Sequence, residues 1–363
     1  MTSDLDEATA EEFSGRVFNA AVESLDILAV YLGDRLGLYR ALADGGPATA
    51  SDLAERASIH PRYAREWLEQ QAVSAFVEVN DVSFPEEERR YTLSPEHAAA
   101  FVDPDSPFSV APMARAVVSM AQTLPNILEA YRTGGGVPWE DYGEDGIESQ
   151  GDFNRPWLIH QFGTEYLPAI PDVHERLQAD PPARVADIAC GVGWAGIAIA
   201  KAYPKAIVDG FDLDESSIAI AQQYAKDAGL DDRVRFEVRD VTDGSRQEPY
   251  DLVVMVEALH DLSQPVPALS AIRESLAPDG VALIADERVA DSFQAPADEA
   301  ERLFYGFSIL LCLPAGMAEQ PSAATGTVMR ASTLRSYALE AGFNDIEMLD
   351  LEHPMLRFYR LVQ

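Results

Sequence analysis

The sequence predicts an α/β fold: a doubly wound sheet of seven strands, the last antiparallel, preceded by a helical winged helix-turn-helix domain. Two observations predict it. From residue 181 onward, short apolar runs alternate with segments of helical spacing, as in a parallel sheet covered on both faces. In the first hundred residues, three helical segments lead into two short strand-like runs.

Residues 16–43 form the first helical segment, with Val17, Ala20, Ala21, Leu25, Leu28, Leu32 and Leu36 spaced for burial on more than one face. Gly45-Gly46-Pro47 stops it, and a second helix opens near Ala50, with Ser51 placed to cap it. A third runs from Pro61 to Ala75, with proline in the tolerated first turn. Residues 76–80 and 90–93 read as the hairpin of a winged helix.

Residues 106–178 read as mostly helical, broken at Gly134-Gly135-Gly136-Val137-Pro138, with an irregular stretch over 139–150. Pro181-Pro182 marks the next boundary. The expected organisation is therefore 1–105, 106–180 and 181–363. In the last segment, strands are expected at 184–190, 206–212, 234–240, 250–257 and 281–287. Helices fall near 193–203, 215–228 and 265–277. A helix near 332–341 and two strands at 345–350 and 355–362 finish the chain.

Composition narrows the partners. The formal net charge is −34, with 61 acidic residues against 27 basic ones. That field repels nucleic acid and anionic membrane surfaces. Two cysteines, Cys190 and Cys312, leave neither a disulfide framework nor a cysteine-rich metal site. No histidine has ligand-like spacing, so no metal is expected. The acidic start lacks a basic-then-apolar leader, and a cytoplasmic location follows. The apolar stretch 303–318 is short for a membrane span and reads as a buried helix.

The chemistry concentrates at the strand ends. Asp187-Ile188-Ala189-Cys190-Gly191-Val192-Gly193-Trp194 closes the first sheet strand and opens a helix. Its glycines allow a tight turn and close backbone approach to a ligand. Asp212 ends the second strand, where an acid can accept hydrogen bonds from a ribose diol. Asp240 ends the third, within reach of an adenine amine, with Val241 against the ring. Glu257 ends the fourth, where the amino-acid portion of such a cofactor would lie.

This series resembles the class I S-adenosylmethionine-dependent methyltransferases, which have a Rossmann-like sheet. The resemblance puts cofactor binding on Asp187, Ala189, Gly191, Gly193, Asp212, Leu213, Asp240, Val241 and Glu257. It departs at Ala189, where the family often has glycine. With the winged helix in front, the chain looks like the two-domain small-molecule O-methyltransferases. Tyr31-Leu32-Gly33-Asp34, Arg65-Glu66-Trp67-Leu68 and Gly134-Gly135-Gly136-Val137-Pro138-Trp139 look closer to a bacterial winged-helix group.

That resemblance implies methyl transfer to a small-molecule hydroxyl and a homodimer built through the first domain. It makes His260, in Leu259-His260-Asp261, the candidate general base, with Leu262 where those enzymes usually have tryptophan. Glu287, at the end of the fifth strand, is placed to orient His260 or to contact substrate. Two other classes fit parts of the pattern. Gly191-Val192-Gly193-Trp194-Ala195-Gly196 satisfies a dinucleotide fingerprint, as in a nicotinamide-dependent oxidoreductase. The winged helix also suits a DNA-binding regulator with a sensor domain.

Overall fold

The computed structural model describes residues 6–243 and 249–363; the first residues of the acidic start lie outside it. The chain divides into two compact units, Met1–Val118 and Ser119–Gln363.

In the first unit, helices Glu7–Arg35, Leu38–Gly45, Ala50–Ala57 and Pro61–Val73 precede a two-stranded antiparallel wing, β1 (Glu78–Val79) and β2 (Tyr91–Thr92). A short helix, Pro95–Phe101, follows. Leu38, Leu42, Leu53, Leu68 and Tyr91 share its core. The predicted 16–43 helix is instead two. The first starts earlier and ends at Arg35, and Gly37 then turns through the left-handed region at φ 66° to start the next. The cap of Ala50–Ala57 is Thr49, not Ser51: the Thr49 hydroxyl accepts from Asp52 N–H in a reciprocal capping box. Burial also departs from expectation. Phe13, Phe18 and Leu25 of the first helix are 62%, 67% and 65% exposed.

The second unit carries the seven-stranded sheet. Its strands are β3 (Arg184–Ile188), β4 (Ile207–Asp212), β5 (Val234–Val238), β6 (Tyr250–Val256), β7 (Leu276–Glu287), β8 (Asp345–Met348) and β9 (Leu356–Val362). Their order is β5-β4-β3-β6-β7-β9-β8. Strands β3 to β7 pair in parallel, and β9 lies antiparallel between β7 and β8. Strand order reverses between β3 and β6, the topological switch point where such sheets bind ligands. Helices Trp194–Ala202, Glu215–Asp227, Pro265–Ser275 and Ala331–Glu340 flank the sheet, with one apolar cluster on each face. Val185, Ala186, Leu252, Val253 and Val254 are buried because both faces are covered.

The stretch predicted irregular over 139–150 is ordered. A turn of 3-10 helix at Trp139–Tyr142 leads into the helix Gly143–Trp157, which runs on as π-helix through Leu158–Tyr166. Its acidic residues misled the reading because they are spaced as a helix needs: Glu144 and Asp145 sit in the first turn, which favours negative charge. The 303–318 stretch is helical but only partly buried, with Ile309 exposed. Among the described residues, no helix is long and apolar enough to cross a membrane.

Candidate active site

The carboxyl ends of β3, β4, β5 and β6 bring the predicted ligand residues to one edge of the sheet. The turn after β3 is set by backbone conformations that favour glycine. Ala189, Gly191 and Gly193 all lie in the left-handed region, at φ 52°, 51° and 84°. Gly193 is also constrained in space, since a Cβ there would stand 2.5 Å from the Phe236 ring.

Asp187 is buried, and its Oδ2 accepts from Gly196 N–H at 2.8 Å, tying β3 to the first turn of the helix Trp194–Ala202. Burial pushes its carboxyl up to about 7. Asp212 braces the turn from the next strand: Oδ2 accepts from Gly191 N–H at 2.8 Å and Oδ1 from Asp214 N–H at 2.9 Å. Burial raises its pKa also. The Asp240 Oδ1 accepts the backbone N–H and the hydroxyl of Thr242, both at 2.7 Å. Val241 packs partly buried against the core, and Leu213 is exposed.

His260 is buried at the centre of an acidic group. Its Nδ1 lies 2.9 Å from Asp286 Oδ1 and 3.1 Å from Glu287 Oε2, and its Nε2 lies 3.3 Å from Asp261 Oδ1. Burial opposes the imidazolium. Asp261, Glu287 and Asp286 outweigh that and raise the His260 pKa well above the ordinary value. Burial also raises Glu287 and Asp261, whereas the His260 charge holds Asp286 below its usual range despite burial. The Cys312 thiol joins this group and is pushed up to about 12 by burial.

Comparison with known proteins gives this edge of the sheet its kinship. Residues 179–322 match the methyltransferase domain family, and residues 24–102 match the Rv2258c-like winged HTH domain. The chain carries a methyltransferase domain behind a winged-helix domain.

Relatives of the methyltransferase domain include the malonyl-[acyl-carrier protein] O-methyltransferase of Halalkalibacterium halodurans. It is 28% identical over 35% of this chain and 50% of that protein. The tetracenomycin polyketide synthesis 8-O-methyl transferase of Streptomyces glaucescens is 27% identical over 72% of this chain and 75% of that protein. The chain spans about half the length of several curated relatives it matches. Human N-acetylserotonin methyltransferase, solved in complex with SAM, shares the fold along 100% of both chains, with a TM-score of 0.71 at 16% identity.

Two parts of this candidate site were missed in the sequence. One is Asp286, beside the Glu287 already singled out; it belongs to an apolar strand and carries no pattern of its own. The other is a pair of amides: Gln150 Nε2 and Asn154 Nδ2 donate to Glu257 Oε2 at 3.1 and 2.6 Å. Their spacing, one helical turn apart, was the available signal.

Proposed function

We propose that this protein transfers a methyl group from S-adenosylmethionine to a small-molecule acceptor, with a hydroxyl oxygen as the first choice. The observation that carries the reading is the row of Asp187, Asp212, Asp240 and Glu257 at the tips of adjacent parallel strands around an open glycine turn. The donor set suits the cofactor: its ribose hydroxyls and adenine amine donate hydrogen bonds, its ammonium is cationic, and carboxylates accept from all of these. When bound, the cofactor supplies a methyl on a positively charged sulfur for in-line displacement.

The same observation disfavours a nicotinamide cofactor. A dinucleotide puts its pyrophosphate on the amides that open the helix. Here the Asp187 carboxylate already takes the Gly196 amide, in the first turn of the helix Trp194–Ala202. Differential scanning fluorimetry tests the choice: S-adenosylhomocysteine should raise the melting temperature and NADH should not. The reverse result would remove the reading.

A DNA-binding role is disfavoured by charge. On and beside the helix Pro61–Val73, Arg62 pairs with Glu66, Arg65 with Glu86, and Arg89 with Glu69. A gel shift with mixed DNA at low salt should show no complex.

Within this reading, His260 is the general base, held by Asp286 and Glu287, and the segment 106–180 covers the acceptor. The exposed apolar face of Glu7–Arg35 pairs two copies of the chain in a reducing cytoplasm. Light scattering checks the pairing: Phe18→Asp should turn a dimer into a monomer, and a wild-type monomer would rule the pairing out.

A further inference from the structure

Glu257 is held in a way that its place at a strand end does not require. Its φ is +48°, a left-handed conformation that residues with a side chain seldom adopt. Such strain persists only where surrounding structure enforces it, and it concentrates at functional sites. Here the backbone N–H of Glu257 donates to Ala285 O at 2.7 Å, and the side chain is caught by the Gly143–Trp157 helix.

The grip is asymmetric. Both amides donate to Oε2, and among the described residues no hydrogen bond reaches Oε1. Both donors are neutral, so they orient the carboxylate without cancelling its charge. A third residue decides which way the Asn154 amide points. Trp157 Nε1 donates to Asn154 Oδ1 at 2.9 Å, so reversing the amide would break this bond as well as the one to Glu257. Trp157 is itself wedged among His353, Tyr166 and Phe358. Two bonds form one relay, indole to amide oxygen and amide nitrogen to carboxylate, and leave the other carboxylate oxygen for a ligand.

Glu257 follows β6, which lies beside β3 at the switch point. The donor helix reaches the same place, because Gly151 lies against Val192 in the glycine turn. We infer that Gln150 and Asn154 are positioning residues that aim the Glu257 carboxylate at the cofactor's α-ammonium, with Trp157 fixing the orientation of Asn154. This rests on the methyltransferase reading.

The test uses two ligands that share the adenosine half. S-adenosylhomocysteine carries the amino-acid portion, and 5′-methylthioadenosine lacks it. Calorimetric titration of the full chain should find both binding to wild type. Asn154→Ala and Glu257→Gln should each weaken S-adenosylhomocysteine by about tenfold or more, as for loss of a charged hydrogen bond. Methylthioadenosine affinity should stay within about twofold, which also shows that the variants fold. Gln150→Ala and Trp157→Phe should move the ratio in the same direction by less. Equal weakening of both ligands, or an unmoved ratio, would overturn the relay while leaving the methyltransferase reading intact. A wild type that binds neither ligand would sink both.

Discussion

Gly151 and Val192 are packed so closely that a Cβ on Gly151 would stand 2.3 Å from Val192 Cγ2. The helix Gly143–Trp157 therefore rests directly on the turn that follows β3, and no larger residue at 151 fits without moving one of them. The contact joins the segment before the sheet to the glycine turn after β3.

This contact makes a two-way prediction. Gly151→Ala should push the helix away from the turn and weaken S-adenosylhomocysteine binding by about tenfold, the cost of overpacking by one methyl. Val192→Ala removes the opposing methyls and should restore much of the loss in the double variant. A double-mutant cycle by calorimetry reads the coupling directly. Additive effects would mean the two residues do not constrain each other.

Ala189 occupies a position better suited to glycine. At φ 52° its Cβ costs more than glycine's extra chain entropy would. Ala189→Gly should therefore stabilise the protein by about 0.5–1 kcal/mol. Thermal unfolding checks it, and a lower melting temperature would show that the methyl packs better than its backbone suggests.

Much of this site was legible because its carriers follow strand ends. Asp187, Asp212, Asp240 and Glu257 each lie at or just past the carboxyl end of a strand, and chain order maps onto spatial order when strands are parallel and crossovers follow one hand. The amide relay was not legible in the same way. Gln150 and Asn154 sit more than a hundred positions from Glu257, Gln150 at the end of the 139–150 stretch that reads as irregular and Asn154 just beyond it. Tertiary packing, through Gly151 on Val192, places the helix Gly143–Trp157 beside the glycine turn. The exposed face of Glu7–Arg35 misled in the opposite direction: apolar periodicity reports that a face avoids water, not whether the same chain covers it.

Asp187 carries a pH dependence of stability. Its folded pKa of about 7 lies above the ordinary 3.8 because the ionised form is desolvated. A raised folded value gives a contribution that is full below about 4 and is lost as pH rises to about 7. Asp187→Asn keeps an oxygen for the Gly196 amide and removes the charge. Relative to wild type, it should gain on the order of 2 kcal/mol between pH 5 and pH 8, and nothing further above that. Urea unfolding at the two pH values measures the difference; a constant offset would mean that Asp187 does not titrate in this window.

His260 makes the sharpest claim about chemistry. The carboxyls of Asp261, Glu287 and Asp286 raise its pKa above the ordinary histidine value, and a base must first lose its proton. Turnover of a hydroxyl acceptor should therefore rise with pH through a midpoint above the usual histidine value. His260→Ala should retain S-adenosylhomocysteine binding and lose about 10²–10⁴-fold in kcat. Glu287→Gln is the discriminating variant. It removes one of the charges that hold the proton, so the midpoint of the pH profile should move down even if kcat falls. Were His260 only a buried packing residue, Glu287→Gln would change stability and leave that midpoint where it was.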